Sequence, residues 1–446
     1  MRHGPRLPRV TMSEMHLRIR IIVACAAALA MAVWLAPAAP ALTSSNNTPF
    51  PASRVLSGAN WTSARHNPPP NQFGDILPTP WADDGNLYVL MDDGGTDAPA
   101  NGALWRNSFA QITGNPLSLN FRRIGVTPPA ATWSQIHQNR SLWTGPLGHY
   151  YSTGFAVVNH VFFATQDNNW NYNANAPFRG LAGIAYSTDH GGHWRFPAKP
   201  FPSATGNLNW VQWGRARQAP DGYVYAIASE REFNASNLIL GRSRPDIADM
   251  TDPSRWQWAS GTVTSSTAST AWSSQVQQAT PILRWPNHIT YPRMTYDPGL
   301  HRYLLSYTYS YAAKPPDVWR AGSELVIMEG PHPWGPFSFV TRGSYFGPSN
   351  GYDPAFPVKW ISRNGLDMWM VWAANFDGCN RGLSCGGAYG FNYQRLHLNL
   401  AGPTSHSGGA AQTAAAGPPR PPAAWRGLQA TPPRVRVPRL IGAPRG

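Results

Sequence analysis

Residues 73–95, FGDILPTPWADDGNLYVLMDDGG, decide how this chain is read. An apolar run enters a tight turn at Asp83-Asp84-Gly85-Asn86, and a second apolar run returns to the acid pair Asp92-Asp93. Asp-Gly between two such runs is a strong short-range signal for a β-hairpin. With the turn centred near residues 84–85, facing positions carry numbers summing to about 169, so Asp75 faces the neighbourhood of Asp92 and Asp93. Directly opposed side chains sit roughly 4.5–5.5 Å apart at Cβ. Carboxylates distant in the chain thereby converge, and two nearby carboxylates are the minimum for cleaving a glycosidic bond.

The same device recurs. YYSTGFAVVNHVFFATQDNNW turns at Asn159-His160 and sets Ser152 and Thr153 beside Gln166 and Asp167. VQWGRARQAPDGYVYAIASERE turns at Asp221-Gly222 and is expected to bring Trp213, Gly214 and Arg215 alongside Glu230. ITYPRMTYDPGLHRYLLSYTY turns around Pro298-Gly299, aligning Tyr291 and Arg293 with Leu305 to Tyr307. YDPAFPVKWISRNGLDMWMVWAANF turns at Asn364-Gly365 and sets Asp353 opposite Asn375. Further short strands follow most hairpins, and apolar stretches with a helical period are missing.

Four-stranded units repeated radially make a β-propeller, so the expected fold is all-β, a five-bladed β-propeller over residues 42–400. A β-sandwich is the alternative, but it does not explain why four of the five hairpins carry an acid at the end away from the turn. In a propeller those ends share one mouth of the central channel. That mouth would hold Asp75, Asp92, Asp93, Asp167, Glu230 and Asp353, with Arg215, Arg293 and Asn375 among them.

The flanks read differently. Arg18 and Arg20 precede the apolar run Ile21–Leu35, and Ala39-Pro40-Ala41 fits a cleavage site, so residues 1–41 are expected to be a signal peptide. Export to the outside or the cell envelope follows. Residues 401–446, rich in Pro, Ala, Gly and Arg, lack the means to bury a core and are expected to be disordered. These flanks contribute +4 and +6 to the formal charge of +14, leaving only +4 for residues 42–400. Nucleic-acid binding therefore loses its electrostatic support. Once Cys25 departs with the leader, Cys379 and Cys385 remain in one loop, CNRGLSC, and read as a disulfide in an exported protein.

WADDGNLYVLMDDG, PDGYVYAIAS, ITYPRMTYDPGLHRYLLSY, PHPWGPFSFV and FPVKWISRNGLDMWMVW together resemble the bacterial domain-of-unknown-function family 4185. The order and spacing match over most of residues 55–400. That family is similar to five-bladed propeller glycosidases, and some members are endo-D-arabinanases. The resemblance implies an enzyme whose partner is cell-wall polysaccharide, the arabinan of arabinogalactan or lipoarabinomannan; a monomer is expected.

Furanoside hydrolysis needs one carboxylic acid to protonate the leaving oxygen and a second carboxylate to attack the anomeric carbon or activate water. Asp75 is cast as base or nucleophile, and Glu230, from another blade, as general acid. Asp167 would orient the donor or tune its pKa, and Asp93 substitutes for Asp75 if the register slips by one. Asp92, Arg215, Arg293, Asp353 and Asn375 are candidate sugar contacts. Trp81, Trp170, Trp210, Trp213 and Tyr291 are candidate stacking platforms, with Trp170 and Trp213 next to proposed acids. YSTDHGGHW (186–194) fits an Asp-box that braces a turn far from the chemistry. No cofactor is implied. An axial calcium is compatible with the fold, but no loop in the sequence specifies one. The alternative function is a non-catalytic carbohydrate-binding or envelope-interaction propeller.

Overall fold

The computed structural model describes residues 48–97, 107–125, 151–167, 180–261, 271–310, 323–343, 351–374 and 389–402. All belong to the first of two compact units, Met1–Gly402; the second is Pro403–Gly446. The leader, Trp170, Asn375, Cys379, Cys385 and the tail from residue 403 lie outside the described residues.

The described chain is all-β, interrupted only by single helical turns. A first strand, β1 (Leu56–Trp61), precedes the hairpin quoted above, β2 (Gln72–Asp75) and β3 (Leu87–Thr96). With β4 (Asn107–Asn115) and β5 (Ser118–Ile124) that hairpin makes a four-stranded sheet, β2-β3-β4-β5. Next come β6 (Phe155–Val158), β7 (Val161–Asp167) and β8 (Leu181–Ser187), a three-stranded sheet. They are followed by β9 (Asn207–Trp210), β10 (Val224–Ser229), β11 (Ala235–Ser243), β12 (Gln257–Ala259) and β13 (Trp272–Ser273). Then follow β14 (Leu283–Asp297), β15 (Arg302–Ser310), β16 (Ser323–Gly330) and β17 (Ser338–Gly343). Last are β18 (Gly351–Ala355), β19 (Asp367–Ala374) and β20 (Asn392–Leu400), and β20 pairs with β1.

All five hairpins are present, but they do not form five separate sheets. The fifteen-residue strand β14 pairs through its first part with β11 (Leu283 with Leu238, Ile289 with Ala235) before it turns to β15. The third and fourth hairpins therefore share one nine-stranded sheet.

Apolar faces pack between consecutive strand groups. Val158, Phe163 and Leu208 fill the space between the second and third groups, and Ile227, Leu240 and Met328 that between the third and fourth. Leu304, Ile327, Trp372 and Leu398 do so between the fourth and last. Leu90, Phe155 and Phe391 belong to a cluster that joins the first group to both its second and its last neighbour. The packing thus closes from last group to first.

Local geometry explains the first hairpin. Asp75 pairs with Asp92 across a bulge between Phe73 and Asp75. The strands cross tightly there: a Cβ on Gly94 would lie 2.4 Å from the Phe73 carbonyl, so no residue but glycine fits. The Asp-box behaves as expected. Ser187 donates to Asp189 at 2.8 Å, Asp189 accepts the His193 amide at 2.9 Å, and Trp194 packs on Phe109 and Phe155.

Candidate active site

The hairpin ends away from the turns deliver carboxylates to one buried cluster. From the first hairpin come Asp75 and Asp93, from the second Asp167, and from the last Asp353, none more than 8% exposed; Asp92, paired with Asp75 across the strands, is buried as well. A fifth acid is Glu232, which follows β10 and is also 8% exposed. Arg293 on β14 reaches into the same cluster.

Arg293 is the hub. Its Nε donates to Asp353 Oδ1 at 2.5 Å, and Nη1 donates to the Thr153 carbonyl at 2.7 Å and to the Asn209 side chain. Asp353 in turn accepts the Leu77 amide at 2.5 Å. One ion pair thereby touches the segments entering all five hairpins. Beneath it lies a cavity of about 10 Å³ bordered by Phe155, Trp210, Gln212 and Phe356, roughly the room one water needs.

The remaining carboxylates have distinct partners. Asp75 Oδ2 accepts the Tyr352 phenol at 2.8 Å, and Glu232 Oε1 accepts the Tyr291 phenol at 2.6 Å. Asp167 Oδ2 accepts from the Thr153 hydroxyl at 2.6 Å and its amide at 3.2 Å, while Oδ1 is buried without a partner among the described residues. Burial, then the charge of Asp93, with smaller effects from Glu232 and Asp353, hold the Asp75 carboxyl well above the usual carboxylate range; the Tyr352 hydrogen bond works the other way. Burial, with the Glu232 charge adding to it, pushes Asp167 up to about 8 against the Thr153 hydrogen bonds and Arg293. Burial also raises Asp353, opposed by Arg293 and the Leu77 amide. Asp93, Glu232 and Asp353 act on Asp75, and Glu232 on Asp167, so like charges oppose full ionisation of the cluster.

The backbone is strained at the same place. Ile76, Asp93, Asn234, Tyr291 and Asp353 are all non-glycine residues with φ between 46° and 58°. Such conformations cost on the order of 1–3 kcal/mol each and persist where surrounding structure enforces them.

Several sequence expectations are corrected here. Glu230 is not in the cluster: its carboxylate accepts the amides of Ser236 at 2.6 Å and Asn237 at 3.1 Å, bracing the bend between β10 and β11. The acid that enters is Glu232, two residues on in the same Ser229-Glu230-Arg231-Glu232 run. The third hairpin's register also differs. Ser229 pairs with Asn207 and Ala226 with Trp210, so Trp213 and Arg215 lie beyond β9 toward the turn. Residues 212–218 form an excursion secured elsewhere, with the Gln212 amide on the Met294 carbonyl and the Ala216 amide on the Trp81 carbonyl. Arg215 is exposed and donates to the Asp83 carbonyl in the first hairpin's turn. Trp213 packs on Tyr296 and Tyr303. Trp81 donates to the Gly85 carbonyl at 3.2 Å and Trp210 is buried, so both serve packing.

Among the described residues no group of three or more His, Cys, Asp or Glu is arranged to hold a metal ion. No helix among them is long and apolar enough to cross a membrane.

No protein-family model matches the chain, and no curated protein matches it in sequence. Solved structures similar to it include a putative hydrolase from Bacteroides ovatus, at 12% identity and TM-score 0.44, covering 79% of this chain and 93% of that one. Another is a GH43_1 enzyme from Xanthomonas citri, at 12% identity and TM-score 0.41, covering 76% and 90%. A third is an alpha-L-arabinofuranosidase from Podospora anserina in complex with cellotriose, at 11% identity and TM-score 0.40, covering 78% and 99%.

Proposed function

We propose that this protein is an exported glycoside hydrolase, folded as a β-propeller, that cleaves arabinofuranosidic linkages in cell-wall arabinan. One observation carries the hydrolase reading: three strand groups each place a buried carboxyl, Asp75, Asp167 and Glu232, in one cluster with different hydrogen-bond partners. Divergent environments for neighbouring carboxyls are how acid and base roles are separated at one pH. The cyclic packing of strand groups supports the propeller. The choice of arabinan rests on the family resemblance in the sequence.

In this reading Glu232 protonates the leaving oxygen as the glycosidic C–O bond breaks. Asp75, once it has lost the proton that burial and the Asp93 charge help it keep, either takes a proton from the attacking water or bonds to the anomeric carbon itself. Asp167 sits between Glu232 and Arg293 electrostatically and tunes the acid. The anomer formed first, read by NMR, separates the two routes for Asp75.

The test is incubation of the full chain with arabinogalactan beside Asp75→Asn and Glu232→Gln. Oligosaccharide release by the parent, lost in both variants, supports the proposal. A polymer that retards all three proteins in an affinity gel without release favours a carbohydrate-binding propeller instead.

A further inference from the structure

A groove of about 550 Å³ opens between the β4–β5 turn and the last sheet, away from the acid cluster. Strand alternation builds one of its walls. Asp367 and Trp369 share a face of β19, and Arg395 and His397 stand opposite them on β20. Met368 and Met370, on the other face, are buried in the core. At about 3.3 Å per residue, Trp369 lies roughly 13 Å along the strand from Ala373, which pairs with Tyr352 beside Asp75.

That wall sets an aromatic ring beside a neutralised charge pair. Trp369 is half-buried, and His66 and Tyr393 meet it at 5.6 and 5.8 Å with tilts of 54° and 44°. Neither ring lies flat on the indole. Arg395 Nη2 is 3.3 Å from Asp367 Oδ1, and His397 Nδ1 is 3.2 Å from the same oxygen. Among the described residues this leaves Oδ2 as an acceptor and the other guanidinium N–H groups as donors, on side chains 29% and 48% exposed. Lys359, partly exposed, adds one positive charge to the lining. The facing lip is a two-residue turn, because Asn115 pairs with Ser118 and leaves Pro116 and Leu117 at the tip. Leucine meets no requirement of such a turn, yet Leu117 stands 79% exposed there.

We propose that this groove is a second saccharide site, which binds a stretch of neutral polysaccharide remote from the acids. Each sugar hydroxyl both donates and accepts, matching the donors and the acceptor of the Arg395–Asp367 pair. The C–H faces of a sugar ring suit the Trp369 indole and the Leu117 side chain. A mostly apolar cleft of this volume with a few convergent polar groups has the build of a ligand site. Its single net positive charge is too little to select a polyanion. Arabinogalactan as the probe rests on the arabinan reading; the groove itself asks only for a polyol chain.

The test is retardation of the full chain in gels containing arabinogalactan, in an Asp75→Asn background so that the polymer stays intact. Trp369→Ala should weaken retardation about tenfold. Leu117→Ala should weaken it about threefold or more, and its exposed position keeps the test valid if Trp369→Ala unfolds. The groove-dependent part should survive raised salt, since neutral sugar is held without net charge. Equal retardation of all the proteins, none of the Asp75→Asn parent, or retardation that raised salt abolishes overturns the proposal. A dimer that Leu117→Ala dissociates, with polymer affinity unchanged, assigns the groove to a second copy and overturns it too. Hydrolysis by the chain with Asp75 intact is followed separately. Groove-dependent retardation without hydrolysis sinks the hydrolase reading and leaves this site in place. Hydrolysis with retardation indifferent to both groove variants does the reverse.

Discussion

Arg293 and Asp353 form an ion pair at 2.5 Å with side chains 6% and 0% exposed, and the segments entering all five hairpins meet at it. Removing one member of a buried pair strands the other's charge, which typically costs about 3–5 kcal/mol. Arg293→Met should therefore lower unfolding stability by about that much, and Asp353→Asn by a comparable amount. The double variant should cost less than the two added together, because each single change already destroys the shared contact. Urea unfolding of the four proteins measures the coupling.

Phe155 tests the packing between neighbouring strand groups. It is fully buried and meets Phe109, Phe162 and Trp194 edge-on or tilted, at centroid distances of 5.2, 5.4 and 6.4 Å. Phe155→Ala removes the ring from a site the rigid strands cannot close over, so a loss of roughly 3–5 kcal/mol is expected by chemical denaturation. Leu117→Ala, at a position 79% exposed, should change stability by less than about 0.5 kcal/mol.

Asp167 gives the fold a pH dependence of definite sign. Its carboxyl is raised to about 8 in the folded chain, against about 3.9 when unfolded. Between those values the unfolded chain has released the proton that the folded chain retains. Stability from this group is thus fully present below about pH 4, falls as pH rises, and levels off above about 8. The slope reaches at most about 1.4 kcal/mol per pH unit. Asp167→Asn carries no titrating group, so its stability should gain on the parent's as pH is raised through that window. A gap between parent and variant that stays constant with pH would refute it.

The two glutamates of the Ser229–Glu232 run separate a bracing role from a chemical one. Glu232→Gln should lower hydrolysis by about 10²–10⁴-fold, the range of a general acid. Glu230→Gln should leave the rate within a few-fold and instead loosen the bend, since Glu230 serves the Ser236 and Asn237 amides. Rates and thermal midpoints for both variants decide it.

Registers were legible in the first, second and fourth hairpins; in the fifth, Tyr352 pairs with Ala373 and Ala355 with Val371 across a bulge, so the expected register of Asp353 with Asn375 is not kept. Phe155 faces Ala164, Arg293 faces Ser306 and Asp75 faces Asp92, all as the turn positions require. The third hairpin departs because residues 212–218 bond to the fourth hairpin and to Trp81 of the first. Its turn signal was sound, but the partner strand started earlier. Glu232 was visible as a second acid at the same alternation as Glu230. What hid its role was the end of β10 at Ser229, after which strand periodicity no longer assigns a face.

The sequence by itself determined the all-β class, the five hairpins and the delivery of acids to their open ends. These follow from alternation and turn chemistry, which act within about twenty residues. Only the tertiary structure decided that β14 would join β11, that Arg293 would reach Asp353, Thr153 and Asn209, and that Glu232 would enter the cluster in place of Glu230. Those outcomes are competitions among distant groups for the same buried hydrogen bonds. A buried carboxylate goes where amides, phenols or a guanidinium satisfy it, and sequence spacing alone does not say which partner arrives.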